Sequence, residues 1–135
     1  MLRCTVVLNR GALAVSQLIL AVDDSISMRQ LVRATLQGAG YEIAQAANGV
    51  AALDYAKTHA APHLVLTDIN MPDMDGLTLV RELRALPDYK HIPILMLTTE
   101  SSQDVRRRAK EFGATGWIVK PFSPQELLAT VKRVI

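Results

Sequence analysis

The chain has 135 residues, 50% hydrophobic and 21% charged, with 15 Lys and Arg against 13 Asp and Glu for a formal net charge of +2. That balance describes one globular domain with a buried core and excludes a disordered chain, and so small a basic surplus lacks the clustered footprint of a nucleic-acid binder. A single cysteine, Cys4, and no Cys/His cluster exclude a disulfide scaffold and a zinc module, so a reducing, cytoplasmic compartment is expected.

Residues 1–17 carry no clear element and are expected to form a loose extension. Arg3 and Arg10 ahead of Gly11–Val22 imitate a signal peptide, but Ser16 and Gln17 interrupt the apolar region and Asp23-Asp24 follow at once. From Leu18 to Ile135, apolar runs alternate with amphipathic stretches. Leu18–Val22 reads as a first strand. Met28, Leu31, Val32 and Leu36 then recur at helical spacing after Ser25, and Gly38 and Gly40 stop that helix. Glu42–Ala46 is a second strand, and after Asn48-Gly49 a helix places Val50, Leu53 and Ala56 or Lys57 along one side. Leu64–Thr67 is a third strand, followed by a helix from about Gly76 that turns Leu77, Val80 and Leu83 inward and ends before Pro87. Ile94–Thr98 is a fourth strand, and Val105, Ala109 and Phe112 stripe the next helix up to Gly113, where a left-handed residue is wanted. Gly116–Val119 is the fifth strand. Ser123-Pro124-Gln125-Glu126 has capping-box spacing and opens a last helix burying Leu127, Leu128, Val131 and Val134. The order is (βα)5, an α/β fold around a five-stranded parallel sheet. Every apolar run is strand-length, far short of the roughly 18 residues that cross a bilayer, so no membrane insertion is expected.

In such sheets the ligand site lies beyond the carboxyl ends of the strands. The first strand delivers Asp23 and Asp24, the third Asp68, the fourth Thr98 and the fifth Lys120. Taken singly, each has an ordinary explanation: a helix cap, a surface lysine, a threonine closing a strand. Together, three carboxylates repel and raise one another's pKa unless a positive charge sits among them. A hard divalent cation meets that need, and Mg²⁺ favours a few carboxylate oxygens with water and phosphate oxygens.

The runs LILAVDDS, LVLTDINMPDMDG, PILMLTTE and GWIVKPF resemble the four signature blocks of the response-regulator receiver domain of two-component signalling, in order and spacing, from Leu18 to the C-terminus. The resemblance implies a doubly wound, flavodoxin-like sheet of order 2-1-3-4-5 within a receiver domain over residues 18–135. It implies that Asp68 is the phosphoacceptor, and that Asp23, Asp24, Asp68 and the backbone carbonyl of Asn70 hold Mg²⁺, Asp23 through water. Thr98 would hydrogen-bond the phosphoryl group and Lys120 would pair with it, the Lys120-Pro121 bond being cis. Asn70 and Glu100 would tune the lifetime of the phosphate. Thr98 and Trp117 would form the switch, the aromatic turning inward as the threonine moves to the phosphate. Trp117 stands where the family usually has Tyr or Phe, and Thr99 where it usually has a smaller residue.

The implied function is a single-domain response regulator, chemotaxis-like, that takes its phosphoryl group from a sensor histidine kinase or phosphotransfer protein. It would catalyse only its own phosphorylation and dephosphorylation, and signal by binding a downstream protein, not nucleic acid. The usual output face joins the fourth helix, fifth strand and last helix. Arg106, Arg107 and Arg108 fan over about 200° of the fourth helix, so they cannot all face one partner, and pairing of Arg107 with Glu111 competes with docking. One alternative is a receiver-shaped interaction module not controlled by phosphorylation, although no acid, lysine or threonine of the set is missing. Another is a haloacid-dehalogenase-type phosphatase, because Asp73–Thr78 matches DxDGxT, but that motif must directly follow a strand and Asn70 and Pro72 intervene. Asp75 fits better as a helix N-cap. A flavin site would need a Ser/Thr/Gly-rich phosphate loop where this chain has two acids.

Overall fold

Short apolar runs become the strands β1 (Leu18–Val22), β2 (Glu42–Ala46), β3 (Leu64–Asp68), β4 (Ile94–Thr98) and β5 (Gly116–Val119) of a computed structural model that describes residues 16–99 and 102–135. All pair in parallel, in the order β2-β1-β3-β4-β5, which is the flavodoxin-like arrangement. Of the expected N-terminal extension only Ser16 and Gln17 are described, and the Gln17 carbonyl accepts the Glu42 N–H at 3.0 Å, so the β1–β2 ladder begins before Leu18. The rest of residues 1–17 lies outside the described residues.

Among the described residues, four helices connect the strands and a fifth follows β5: α1 (Ile26–Gly38), α2 (Gly49–Thr58), α3 (Gly76–Arg84), α4 (Gln103–Phe112) and α5 (Pro124–Val134). Each begins at a residue whose side chain accepts an otherwise unpaired N–H of the first turn: Ser25, Asn48, Asp75, Ser102 and Ser123. At Ser123 the arrangement is reciprocal with Glu126, and α4 ends on Gly113 at φ 107°. No described helix is long and apolar enough to cross a membrane.

Side chains alternate across the sheet, so two cores form. Leu20, Val22, Val65, Ile94 and Met96 face α2, α3 and α4, while Ile19, Leu64, Leu66, Leu95 and Leu97 face α1 and α5. The central strands are apolar on both faces because helices cover both. The register corrects the expected face of α2: Gly49, Ala52 and Ala56 are buried, Leu53 is half-buried, and Val50 and Lys57 are exposed. Three small residues let α2 lie close to the sheet, and burying Val50 would require rotating that close face away. Leu31, expected on the buried stripe of α1, is 40% exposed, leaving Val32 and Leu36 to make the contact. An unforeseen 3-10 turn, Pro87–Tyr89, follows α3 and buries Tyr89. Arg84 ties that turn to the end of α4: its guanidinium donates to the carbonyls of Tyr89 (2.6 Å), Ile92 (2.6 Å) and Gly113 (2.8 Å).

Candidate functional site

The parallel register brings the carboxyl ends of the strands to one edge. Val22 pairs with Thr67, Asp68 with Leu97 and Thr98 with Val119, so the residues that leave β1, β3, β4 and β5 emerge side by side. Backbone bonds extend the ladders into the site, from the Asp23 N–H to the Ala46 carbonyl and from the Lys120 N–H to the Thr98 carbonyl.

Asp23 and Asp68 are buried, at 3% and 8% exposure, whereas Asp24 is open to solvent. One carboxylate oxygen from each of the three lies within 4.8 Å of the others. The Lys120 ammonium reaches between two of them, 3.3 Å from Asp23 Oδ2 and 3.4 Å from Asp68 Oδ1. Burial pushes the Asp68 carboxyl above the usual carboxylate range; the Lys120 charge opposes this and the Asp23 charge adds to it. Lys120 therefore offsets only part of the repulsion, and three carboxylates against one ammonium leave a surplus of negative charge with oxygen donors only. That donor chemistry fits a hard divalent cation.

Local turns hold these groups in place. The Asp23 Oδ1 accepts the Ser25 N–H at 2.9 Å, and the Asp23 carbonyl accepts from the Arg29 guanidinium at 2.6 Å. Arg29 carries no signal in the sequence beyond its place on α1. Opposite, the Gly76 N–H donates to the Ile69 carbonyl at 2.7 Å, drawing the first turn of α3 against the end of β3. A Cβ at Gly76 would lie 2.1 Å from the Asp68 carbonyl oxygen, so only glycine permits this approach. Sequence reasoning placed Gly76 merely at a helix start. The single clue to its tightness was the DMDG turn, in which Asp73 takes a left-handed φ of 69°.

Thr98 is buried at the end of β4, 2% exposed; Asn70 and Thr99 are exposed in the loops after β3 and β4. Glu100 lies outside the described residues. The Lys120–Pro121 peptide bond is cis. Trp117 on β5 is half-buried and shares a recess with Thr98, Met96, Val105, Arg106 and Ala109, too tight to hold a water. The three α4 arginines diverge. The Arg106 guanidinium lies 5.0 Å above the Trp117 ring, and Arg107 pairs with Asp104 one turn back, not with Glu111 ahead. Arg108 is exposed.

The DxDGxT segment is not built as a nucleophile site. Asp73 is an exposed loop residue, and Asp75 Oδ1 accepts the Thr78 N–H at 2.8 Å as the N-cap of α3.

The family model for the response regulator receiver domain matches residues 19–132. The chemotaxis protein CheY1 of Helicobacter pylori strain J99 is 41% identical over 118 residues, which cover 87% of this chain and 95% of that protein. The structure of Vibrio cholerae chemotaxis protein CheY4 superposes with a TM-score of 0.86 at 49% identity, covering 90% of this chain and 100% of that one. The receiver domain of sensor histidine kinase PA1611 from Pseudomonas aeruginosa PAO1 has a TM-score of 0.81 at 29% identity, covering 89% and 98%. That structure has a magnesium ion coordinated in its active-site cleft.

Proposed function

The chain belongs to the response regulator receiver domain family, and from that premise we propose that it is a phosphoaspartate switch over residues 18–135, loaded on Asp68 by a histidine kinase or phosphotransfer protein. The observation that carries this is the cluster of Asp23, Asp24 and Asp68 within 4.8 Å, with the Lys120 ammonium between two of its members.

The Asp68 carboxylate oxygen attacks phosphorus as the bond from phosphorus to the donor's histidine nitrogen breaks, the electron pair leaving with that nitrogen. Asp23, Asp24, Asp68 and the Asn70 carbonyl would hold Mg²⁺, which supplies charge neutralisation to the transferring oxygens. Lys120, already anchored between two carboxylates, turns to a phosphoryl oxygen, and the Thr98 hydroxyl donates to another. Burial of Asp68 limits solvation of the carboxylate that attacks. Asn70 and Glu100 set the lifetime by positioning the attacking water. The catalysis extends only to this chain's own phosphorylation and dephosphorylation. Phosphate shifts a two-state population in which Thr98 and Trp117 move together, and the output is protein binding on the face formed by α4, β5 and α5.

The test is incubation with acetyl phosphate or beryllofluoride, with and without Mg²⁺, followed by mass spectrometry and Trp117 fluorescence. With acetyl phosphate the expected result is one phosphoryl adduct on Asp68 that requires Mg²⁺ and is absent in Asp68→Asn. An unmodified Asp68 with no response to metal or mimic would overturn the proposal in favour of an interaction module.

A further inference from the structure

Trp117 is the chain's single tryptophan, and one cation covers it. Met96 on the neighbouring strand β4 and Ala109 on α4 are apolar neighbours that offer the indole packing but no direction. On the open side the Arg106 guanidinium stands 5.0 Å above the ring, within the range where the quadrupole of an indole attracts a cation. Arg107 is engaged with Asp104 and Arg108 points to solvent, so Arg106 alone among the three addresses β5. The same recess is bounded by Thr98, the residue at the end of β4 that borders the carboxylate cluster.

We propose that Arg106 is a positioning residue: it clasps Trp117 in its resting place against α4, and so sets how strongly phosphate on Asp68 must pull before the switch turns. This rests on the phosphoaspartate reading above. For the indole to turn toward Thr98 it must leave the face of the guanidinium, and the attraction it gives up opposes the turn. By linkage, whatever stabilises the resting indole weakens phosphate binding by the same factor. A clasp of this kind at a half-exposed site amounts to about a two- to five-fold bias.

The clasp requires a charge, not just a long stem, which separates it from packing. Arg106→Met keeps the stem and removes the guanidinium; Arg106→Lys returns a cation; Arg108→Met is the control for lost surface charge. Two readouts are taken on the full chain: acrylamide quenching of Trp117 without ligand, and the apparent affinity for beryllofluoride with Mg²⁺ by calorimetry. The expected result is that Arg106→Met alters the quenching and tightens beryllofluoride binding about two- to five-fold, that Arg106→Lys moves both back toward the native values, and that Arg108→Met changes neither. Native quenching and affinity in Arg106→Met, or equal effects from Arg108→Met, would refute the clasp while leaving the phosphorylation site standing. If the unaltered protein does not bind beryllofluoride, both the clasp and the reading it rests on fall.

Discussion

Replacing Gly76 by alanine tests how closely α3 is pressed against the strand that carries Asp68. The added methyl would sit 2.1 Å from the Asp68 carbonyl oxygen and 2.9 Å from both the Asp68 carbonyl carbon and the Ile69 Cα. A relaxed carbon–oxygen contact needs about 3.3 Å, so the first turn of α3 must retreat by roughly the difference, about 1 Å. All three obstacles are backbone, and no rotamer change can relieve them. Overpacking in a rigid setting costs about 1–3 kcal/mol, and the immobility of both sides puts Gly76→Ala near 3 kcal/mol. For a domain of this size that lowers Tm by about 10 °C. The retreat also breaks the Gly76 N–H to Ile69 carbonyl bond and shifts Asp68 relative to Lys120, so Mg²⁺ affinity falls with stability. The control is Gly38→Ala, at the end of α1, where nothing lies within 4 Å of an added Cβ; it gains roughly 0.5–1 kcal/mol from helix propensity. Urea unfolding followed by circular dichroism gives both midpoints, and a Mg²⁺ titration gives the second effect. Gly76→Ala unfolding at the native urea concentration would refute the claim that this contact fixes the position of Asp68.

Tyr89 gives a prediction at alkaline pH. Its hydroxyl is buried with no hydrogen-bond partner among the described residues, and burial pushes it up from the ordinary 10.0 to about 12. Because the folded state holds the proton longer than the unfolded chain, stability is intact below pH 10 and is lost as pH climbs through 12. Tyr89→Phe should be neutral or stabilising at pH 7 and should flatten that alkaline fall in urea titrations; an equally steep fall in the variant would contradict the assignment. Asp68 gives the converse at acid pH. With its carboxyl raised, folding takes up a proton between the usual carboxylate range and the raised value, so the ionised group weighs against the fold above that window. In chelator, Asp68→Asn should therefore unfold at higher urea than the native chain at pH 7, the gap closing as the pH is lowered toward 4. A gap independent of pH would show that charge is not its cause.

Much of this molecule was legible because its central strands are apolar on both faces and stop abruptly at polar residues. The runs ending at Asp23, Asp68 and Thr98 announce both the sheet and the edge where the site forms. Ser25, Asn48, Asp75 and Ser123 did the same for four helix starts, while Ser102, which caps α4, went unread. Where the chain has only small side chains, the pattern loses its direction: the alanines of α2 fit two faces equally, and the sequence favoured the larger Val50 over the closer-packing Ala52. Pro87 announces a break but not that Tyr89 would turn inward after it. Contacts distant along the chain leave no local trace at all. The Arg84 guanidinium meets Gly113 across 29 residues, and neither residue type foretells the other. At Arg106 and Arg107, helical angles showed that the arginines diverge, but which one would meet an indole depended on where β5 fell.

The ammonium of Lys120 and the carboxylate of Asp23 are separated by 97 residues. Lys120 follows β5, a four-residue strand at the margin of the sheet, whose one strand neighbour among the described residues is β4. A margin held on one side opens at lower free energy than the interior strands, without the rest of the molecule unfolding. When it opens, the three carboxylates lose their cation and are left facing one another. Opening of this edge therefore disables the carboxylate cluster without requiring the interior strands to separate. A Mg²⁺ titration should then lose its response on warming while most of the helix signal persists, which would report the detachment of one edge and not the collapse of the domain.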